Sequence, residues 1–332
     1  MGIHSRTMIA TPELQQGWPA VEPATLISVI VPCFNQAGFL PEAIETALGQ
    51  THHPVEVVVV DDGSTDETRA VVARYPPGIR YIWQENRGLA AARNAGMAVS
   101  RGAFLVFLDS DDRLLPNALE AGLACHRAHG GCAFVYGTYC YIDAHGRRLG
   151  PPFCRTPTPD PYAALLRKNH IGMHATVMYQ RDALERAGGF NPSLRAGEDY
   201  DVYLRIARHD RVAYHHTLVA EYRRHSGTMS NDPARILAAN LAVLRMQEQH
   251  AKGNARHRRD CRAGLRFAVA KCGKAMLLES FAALAGRRLG GACQALLSAL
   301  RLIPAFIAAS SDLSSYPAWV SQFPRVPQNG AS

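Results

Sequence analysis

The sequence predicts an α/β protein built on a doubly wound, mainly parallel sheet, and three observations predict it. Short apolar runs rich in β-branched residues recur at 26–32, 55–60, 79–84 and 103–108. Helical stretches at 41–50, 66–74 and 89–99 separate them, so strand and helix alternate as in βαβ units. The run VEVVVV at 55–60 is nearly continuous rather than alternating, as a strand covered on both faces requires.

Each element has its own local reason. The first run, LISVIVP, leads into Cys33-Phe34-Asn35, and Pro41 opens the helix that follows, where its missing N–H costs nothing. The second run stops at Asp61-Asp62-Gly63-Ser64-Thr65-Asp66, a tight glycine turn into a helix, with Asp66 as its N-cap and Ser64 shaping the turn. The third run leads to the helix at 89–99, and the fourth, AFLVFL, ends in Asp109-Ser110-Asp111-Asp112. Beyond Pro116 the pattern loosens into a helix at 117–128, a strand-like run at 133–142, a Pro-rich loop at 151–161 and a helix at 162–168. A strand at 177–179, a helix at 200–208 and a strand-like run at 218–222 follow. From Pro233 onward the chain reads helical, at 234–250, 261–285 and 290–309.

Composition narrows the function classes. The 332 residues are 47% hydrophobic and 19% charged, enough for a substantial core. Residues 1–25, holding Pro12, Gly17, Pro19 and Pro23, read as a disordered lead-in with no secretory signal. The eight cysteines form no CxxC pair and no zinc spacing, which suits reduced thiols in a cytoplasmic protein. The net charge of +8 is uneven: residues 1–231 carry 22 Lys+Arg and 23 Asp+Glu, residues 232–332 carry 14 and 5. A near-neutral body at 26–231 is thus followed by a basic, mostly helical region at 232–332. Its apolar stretch at 292–310 is interrupted by Arg301 and Pro304 and does not read as a membrane span. Basic helices beside an apolar one can lie peripherally on the inner face of a membrane or pack as a cap on the body, and the two are compatible.

The acidic run at 109–112 carries the most chemistry. A buried strand has no cheap place for charge, so these acids belong just past its C-terminal end, where open α/β sheets bind ligands. An Asp-x-Asp pair there suits a hard divalent cation and its phosphate ligands; an acidic turn capping a helix is the competing reading. Neither GxGxxG nor GxxxxGK[ST] occurs.

Four segments together carry a resemblance. They are Val29-Ile30-Val31-Pro32-Cys33-Phe34-Asn35, then 61–66, then Asn86-Arg87-Gly88-Leu89-Ala90-Ala91-Ala92-Arg93-Asn94, then Leu108-Asp109-Ser110-Asp111-Asp112. Gly188-Gly189-Phe190, Gly197-Glu198-Asp199-Tyr200-Asp201 and Tyr222-Arg223-Arg224-His225-Ser226 continue it in order. This series resembles the family 2 glycosyltransferases of the GT-A fold over about residues 27–230.

The resemblance implies a single GT-A nucleotide-binding domain and an inverting transferase that takes a sugar from a nucleotide-diphosphate donor, a UDP-sugar in first place. It places Pro32, Phe34, Asp62, Arg93, Ser110 and Arg224 at the nucleotide sugar. Phe34 would stack on the base, unless it packs in the core, and Arg93 or Arg87 would meet the diphosphate. Mn²⁺ or Mg²⁺ would sit on Asp111 with Asp109 and His225, while Asp112 caps or orients. Asp199 would be the general base, with Glu198 able to exchange roles; N-terminal charge on a helix is the plainer reading of that pair. A glycan or lipid-linked acceptor would enter beside residues 171–176, where His174 reads as structural, and cell-surface polysaccharide synthesis is the expected setting. Two other classes compete with this one. A sugar nucleotidyltransferase would want a basic, Gly-rich loop after the first strand, which Cys33-Phe34-Asn35-Gln36-Ala37-Gly38 is not. A nucleic-acid-binding protein would use the basic region, but that region has few aromatics, so no nucleic acid is expected.

Overall fold

The computed structural model describes residues 25–75, 78–153 and 158–285, and the side chains of 279–285 are not described. The expected lead-in before residue 25, the helix expected at 290–309 with its apolar stretch, and Cys154 and Cys293 lie outside the described residues.

The strands are β1 (Ile27–Cys33), β2 (Val55–Asp61), β3 (Ile79–Trp83), β4 (Phe104–Phe107), β5 (Arg113–Leu114), β6 (Cys132–Ile142), β7 (Val177–Gln180) and β8 (Arg211–Arg223). The helices are α1 (Leu40–Leu48), α2 (Thr68–Val72), α3 (Leu89–Val99), α4 (Ala118–Ala128), α5 (Pro161–Arg167), α6 (Arg181–Arg186), α7 (Glu198–Ala207), α8 (Pro233–Ala251) and α9 (Ala255–Ala285). The strands form one mixed sheet in the order β3-β2-β1-β4-β7-β6-β8-β5. Pairs β1–β2, β2–β3, β1–β4 and β6–β8 are parallel, and the pairs β4–β7, β6–β7 and β5–β8 are antiparallel. The chain winds from β1 out to β3, then crosses back to lay β4 on the other side of β1. A crevice opens at that reversal, outside the C-terminal ends of β1 and β4.

Strand periodicity divides the core. Ile30, Val58, Val60, Leu105 and Phe107 face one layer, and Val29, Val31, Val57, Val59 and Val106 face the other, all of them buried. The first layer contains Leu237, Leu241 and Leu244 of α8 and Leu265, Val269 and Met276 of α9, beside Tyr200 and Tyr203 of α7. The two C-terminal helices therefore share the core of the sheet. Each Leu buried there is worth about 1.5–3 kcal/mol, so the attachment is strong. Gly96 lets α3 approach closely, because a Cβ there would stand 2.4 Å from the Ile30 side chain.

Several elements differ from the sequence expectation. β8 is 13 residues long rather than five, since its polar half (Tyr214-His215-His216-Thr217) hides the strand, and register shifts opposite β6 break the alternation. β5 and α6 were not expected, α2 is shorter, and α9 begins six residues earlier. α7 begins at Glu198 rather than Tyr200, because Gly197 takes a left-handed conformation (φ 76°) and turns the chain into the helix. The Glu198-Asp199 pair thus lies inside the first helical turn. No helix among the described residues is long and apolar enough to cross a membrane. The six described cysteines are buried and unbridged.

Candidate active site

The crevice at the end of β1 and β4 continues into a cavity of about 580 Å³, whose wall includes Asp109, Asp112, Glu198 and Asp199. α8 and α9 close one side of it with Arg235, Asn240, Phe267 and Lys271. That volume lies within the usual range of ligand pockets, roughly 300–1,000 Å³.

Arg93 joins the two acidic motifs. Its side chain, 2% exposed, donates from Nη2 to Asp109 Oδ1 at 2.7 Å and from Nη1 to Glu198 Oε1 at 2.6 Å. Its Nε has no partner, and its guanidinium lies 5.6 Å from the Phe190 ring centroid. The expectation was that Arg93 meets a diphosphate; in this structure two carboxylates occupy its fork, and it serves as an internal clamp. The signal for this was only weakly local, because the partners lie 16 and 105 residues away.

Asp199 sits beside that clamp with a freer carboxylate, which accepts from the Tyr200 backbone N–H at 2.6 Å. Burial, then the charge of Glu198, push the Asp199 carboxyl up to about 7 against the opposing pull of Arg93. Glu198 is tied to Arg93, so the two adjacent acids are not interchangeable in this structure.

The turn after β4 distributes its acids. Asp111 Oδ2 lies 2.9 Å from His225 Nε2, and burial together with the Asp109 charge raises its pKa. Asp112 accepts from the Arg223 backbone N–H at 2.8 Å and so fastens β8; burial and its two acidic neighbours raise its pKa as well. Arg223 also donates to the Asp111 carbonyl and pairs with Glu42. Asp111 and His225 are thus brought together, while the Asp109 carboxylate is turned to Arg93. Among the described residues, no three His, Cys, Asp or Glu side chains form a ready-made metal cage.

Around the strand ends, Phe34 is 46% exposed, which excludes the core-packing reading. Pro32 is buried within β1, and Ser110 is buried in the turn after β4. Asp62 accepts from Gln84 Nε2 and from the backbone N–H groups of Arg87 and Gly88, which anchors the loop ahead of α3. Asn35, at φ 52°, accepts from the Thr65 backbone N–H, so the turns after β1 and β2 brace one another. Arg224 lies over Tyr141 at 5.5 Å and donates to Asn231 Oδ1 at 2.8 Å. His174 is buried, stacked on Phe107 and hydrogen-bonded to Tyr179; burial and the Arg93 charge hold its pKa well below the usual value. The aromatic wall of Tyr139, Tyr141, Phe153 and Tyr222 escaped sequence reasoning because only β6–β8 pairing assembles it.

The family description "Glycosyl transferase family 2" matches residues 28–188. A Bacillus subtilis (strain 168) protein, TuaG, assigned to teichuronic acid biosynthesis as a glycosyltransferase, is 31% identical over 62% of this chain and 82% of its own length. The chain belongs to glycosyltransferase family 2. This family 2 glycosyltransferase is also similar to an uncharacterized glycosyltransferase of Rickettsia prowazekii (30% identity over 62% of this chain and 66% of that protein). Chondroitin synthase of Escherichia coli is 32% identical over 55% of this chain and 26% of that protein. The chain therefore spans about two thirds of the rickettsial protein and about a quarter of the synthase.

Among solved structures, the mannosyltransferase PcManGT of Pyrobaculum calidifontis, in complex with GDP-Man and Mn²⁺, aligns with a TM-score of 0.59 and 21% identity over 85% of this chain and 87% of that one. Residues 1–349 of S. aureus TarS, in complex with UDP, align with a TM-score of 0.57 and 18% identity over 86% of each chain. At these identities the likeness establishes the GT-A fold. Family membership decides against the nucleotidyltransferase and nucleic-acid-binding readings.

Proposed function

We propose that this glycosyltransferase is an inverting, metal-dependent enzyme. It moves a sugar from a nucleotide-diphosphate donor, UDP-linked in first place, to a hydroxyl of a glycan or lipid-linked acceptor in cell-surface polysaccharide synthesis. One observation carries the reading: Arg93 holds Asp109 of the acidic turn and Glu198, next to Asp199, on the wall of one cavity. The nucleotide-bound complexes of the structural neighbours and the polysaccharide-pathway names of the relatives, such as the succinoglycan biosynthesis protein ExoO of Rhizobium meliloti, support it.

The residues fit a hard divalent cation. Asp111 and Asp109 offer carboxylate oxygens; burial, and after it the Asp109 charge, raises the Asp111 pKa, and a cation would relieve both. Such ions take one or two carboxylates plus substrate phosphates, so no closed protein cage is needed. Asp111, Asp109 and His225 would hold Mn²⁺ or Mg²⁺, which supplies positive charge to the departing diphosphate. Phe34 offers an exposed aromatic face to the base, and Arg224 a guanidinium to phosphate oxygens. Asp199 takes the proton of the acceptor hydroxyl as its oxygen bonds to the anomeric carbon. The bond from that carbon to the diphosphate oxygen breaks, and its electron pair leaves on the nucleotide.

A donor screen tests this: purified protein, Mn²⁺ or Mg²⁺, a panel of nucleotide sugars, and nucleoside diphosphate release as readout. At least one donor is expected to be turned over. Failure to bind or consume any donor, with or without metal, would refute the reading.

A further inference from the structure

We propose that the acceptor is an anionic saccharide, bearing phosphate or carboxylate groups, whose charge is met by Arg235 of α8 and Lys271 of α9. This rests on the transferase reading above. The cavity wall is divided by charge. Its acids, Asp109, Asp112, Glu198 and Asp199, come from the turn after β4 and the start of α7. α8 and α9 contribute Arg235 and Lys271 and no acid.

The cations of the two sides are used differently. Arg93 is paired with both Asp109 and Glu198. Arg235 donates to the Arg195 carbonyl at 3.0 Å, and neither it nor Lys271 has an ion-pair partner among the described residues. A half-buried arginine in a ligand cavity without a carboxylate is poised for an anion, and a guanidinium fork suits phosphate or carboxylate oxygens. In the segment carrying both residues, positions 232–278, whose side chains are described, have 10 Lys+Arg against 3 Asp+Glu, a balance that favours anions at this mouth.

The same wall suits a sugar chain. Phe153 is exposed, with buried Tyr139 stacked behind it at 5.0 Å, and Phe267 is exposed beside Lys168. The exposed faces of Phe153 and Phe267 receive the C–H faces of sugar rings, while the cations fix the charged substituents. The donor diphosphate is met at the other motif, by Asp111 with its cation and by Arg224. Beyond that set and Lys168, which lies over the Phe267 ring, Arg235 and Lys271 are the basic side chains that select the acceptor.

The test is calorimetric titration of the full chain with three probes of equal length: a neutral oligosaccharide, one containing glucuronic acid, and one containing phosphodiester links. UDP is titrated in parallel, and the variants are R235Q/K271Q and R235K/K271R. At low salt at least one anionic probe is expected to bind about tenfold tighter than the neutral one. The preferred probe assigns the anion as carboxylate or phosphate. Salt should erode the preference, R235Q/K271Q should abolish it with UDP affinity unchanged, and R235K/K271R should retain most of it. Equal binding of neutral and anionic probes would overturn the proposal, as would a preference that survives in R235Q/K271Q. A parallel loss of UDP affinity in that variant would assign the pair to the donor instead. Binding to anionic phosphatidylglycerol vesicles but to neither anionic saccharide, dependent on the same pair, would make this a membrane contact and also overturn it. If the wild type binds no nucleotide from the donor screen, the transferase reading fails and this proposal falls with it.

Discussion

Replacing Arg93 with Met tests the junction on which the site depends. Met keeps much of the side-chain volume, so the change isolates charge and hydrogen bonding. Arg93 and Glu198 are 2% and 6% exposed at the side chain, and Asp109 is 33% exposed. Water can take over part of the loss at Asp109 but almost none at Glu198. Removing one partner of a buried ion pair costs about 3–5 kcal/mol, because the other charge stays buried and uncompensated. For a chain of this size that corresponds to a Tm lower by roughly 6–20 °C. Without Arg93 the Glu198 carboxylate is left buried without its ion-pair partner. Urea unfolding of wild type, R93M, E198Q and R93M/E198Q at pH 8 closes a double-mutant cycle. The double variant is expected to be more stable than R93M. If R93M lies within about 1 kcal/mol of wild type at pH 8, or if E198Q restores nothing, Arg93 is not the clamp described.

The remaining predictions concern activity and binding. Asp199→Asn should lower transfer by about 10²–10⁴-fold in a nucleotide-release assay while nucleotide affinity is kept; retention of activity would remove Asp199 as the base. Asp111→Ala should weaken nucleotide binding in Mn²⁺ or Mg²⁺ much more than in chelator, and equal losses under both conditions would take the cation away from Asp111. Because the base must be ionised, and its carboxyl sits at about 7, kcat/KM should rise with pH through about 7 and then level off; a flat profile from pH 5.5 to 8.5 contradicts the assignment. Phe34→Ala should cost about 1–3 kcal/mol of nucleotide affinity with the melting temperature unchanged, since the ring is exposed, and unaltered affinity would dissociate Phe34 from the base.

The parallel half of the fold was legible because β1, β2 and β4 are buried on both faces and their apolar runs announce it. β8 was half hidden, since its register shifts and paired histidines break the strand pattern that a sequence can display. The acids of the site were legible for a related reason: each lies where an apolar run or a glycine turn ends. What each acid does was not legible. Asp62 pins a loop, Asp112 fastens β8, and Glu198 pairs with Arg93, and every one of these contacts is set by packing between distant segments. The share of α8 and α9 in the cavity was equally hidden, because a basic amphipathic helix reads the same whether its apolar face meets a membrane or a core.

Charge links these findings into one argument about how the site is filled. Asp109, Asp111, Asp112, Glu198 and Asp199 lie at the donor end, with Arg93 and His225 paired to three of them. Two like charges 4 Å apart repel by about 4 kcal/mol at an effective dielectric of 20, so a nucleotide diphosphate entering this group alone is opposed. Raised pKa values at Asp111, Asp112 and Asp199 are the same repulsion and burial felt by the protein itself. On the proposed reading, a divalent cation on Asp111 would reverse the local sign and make donor binding conditional on the metal. The acceptor side needs no such import on the proposed reading, because Arg235 and Lys271 bring positive charge with the fold. On that reading the acidic end adds a cation to its own Arg224, whereas the α8–α9 end relies on Arg235 and Lys271 alone, so chelator should weaken donor binding and leave acceptor binding unchanged.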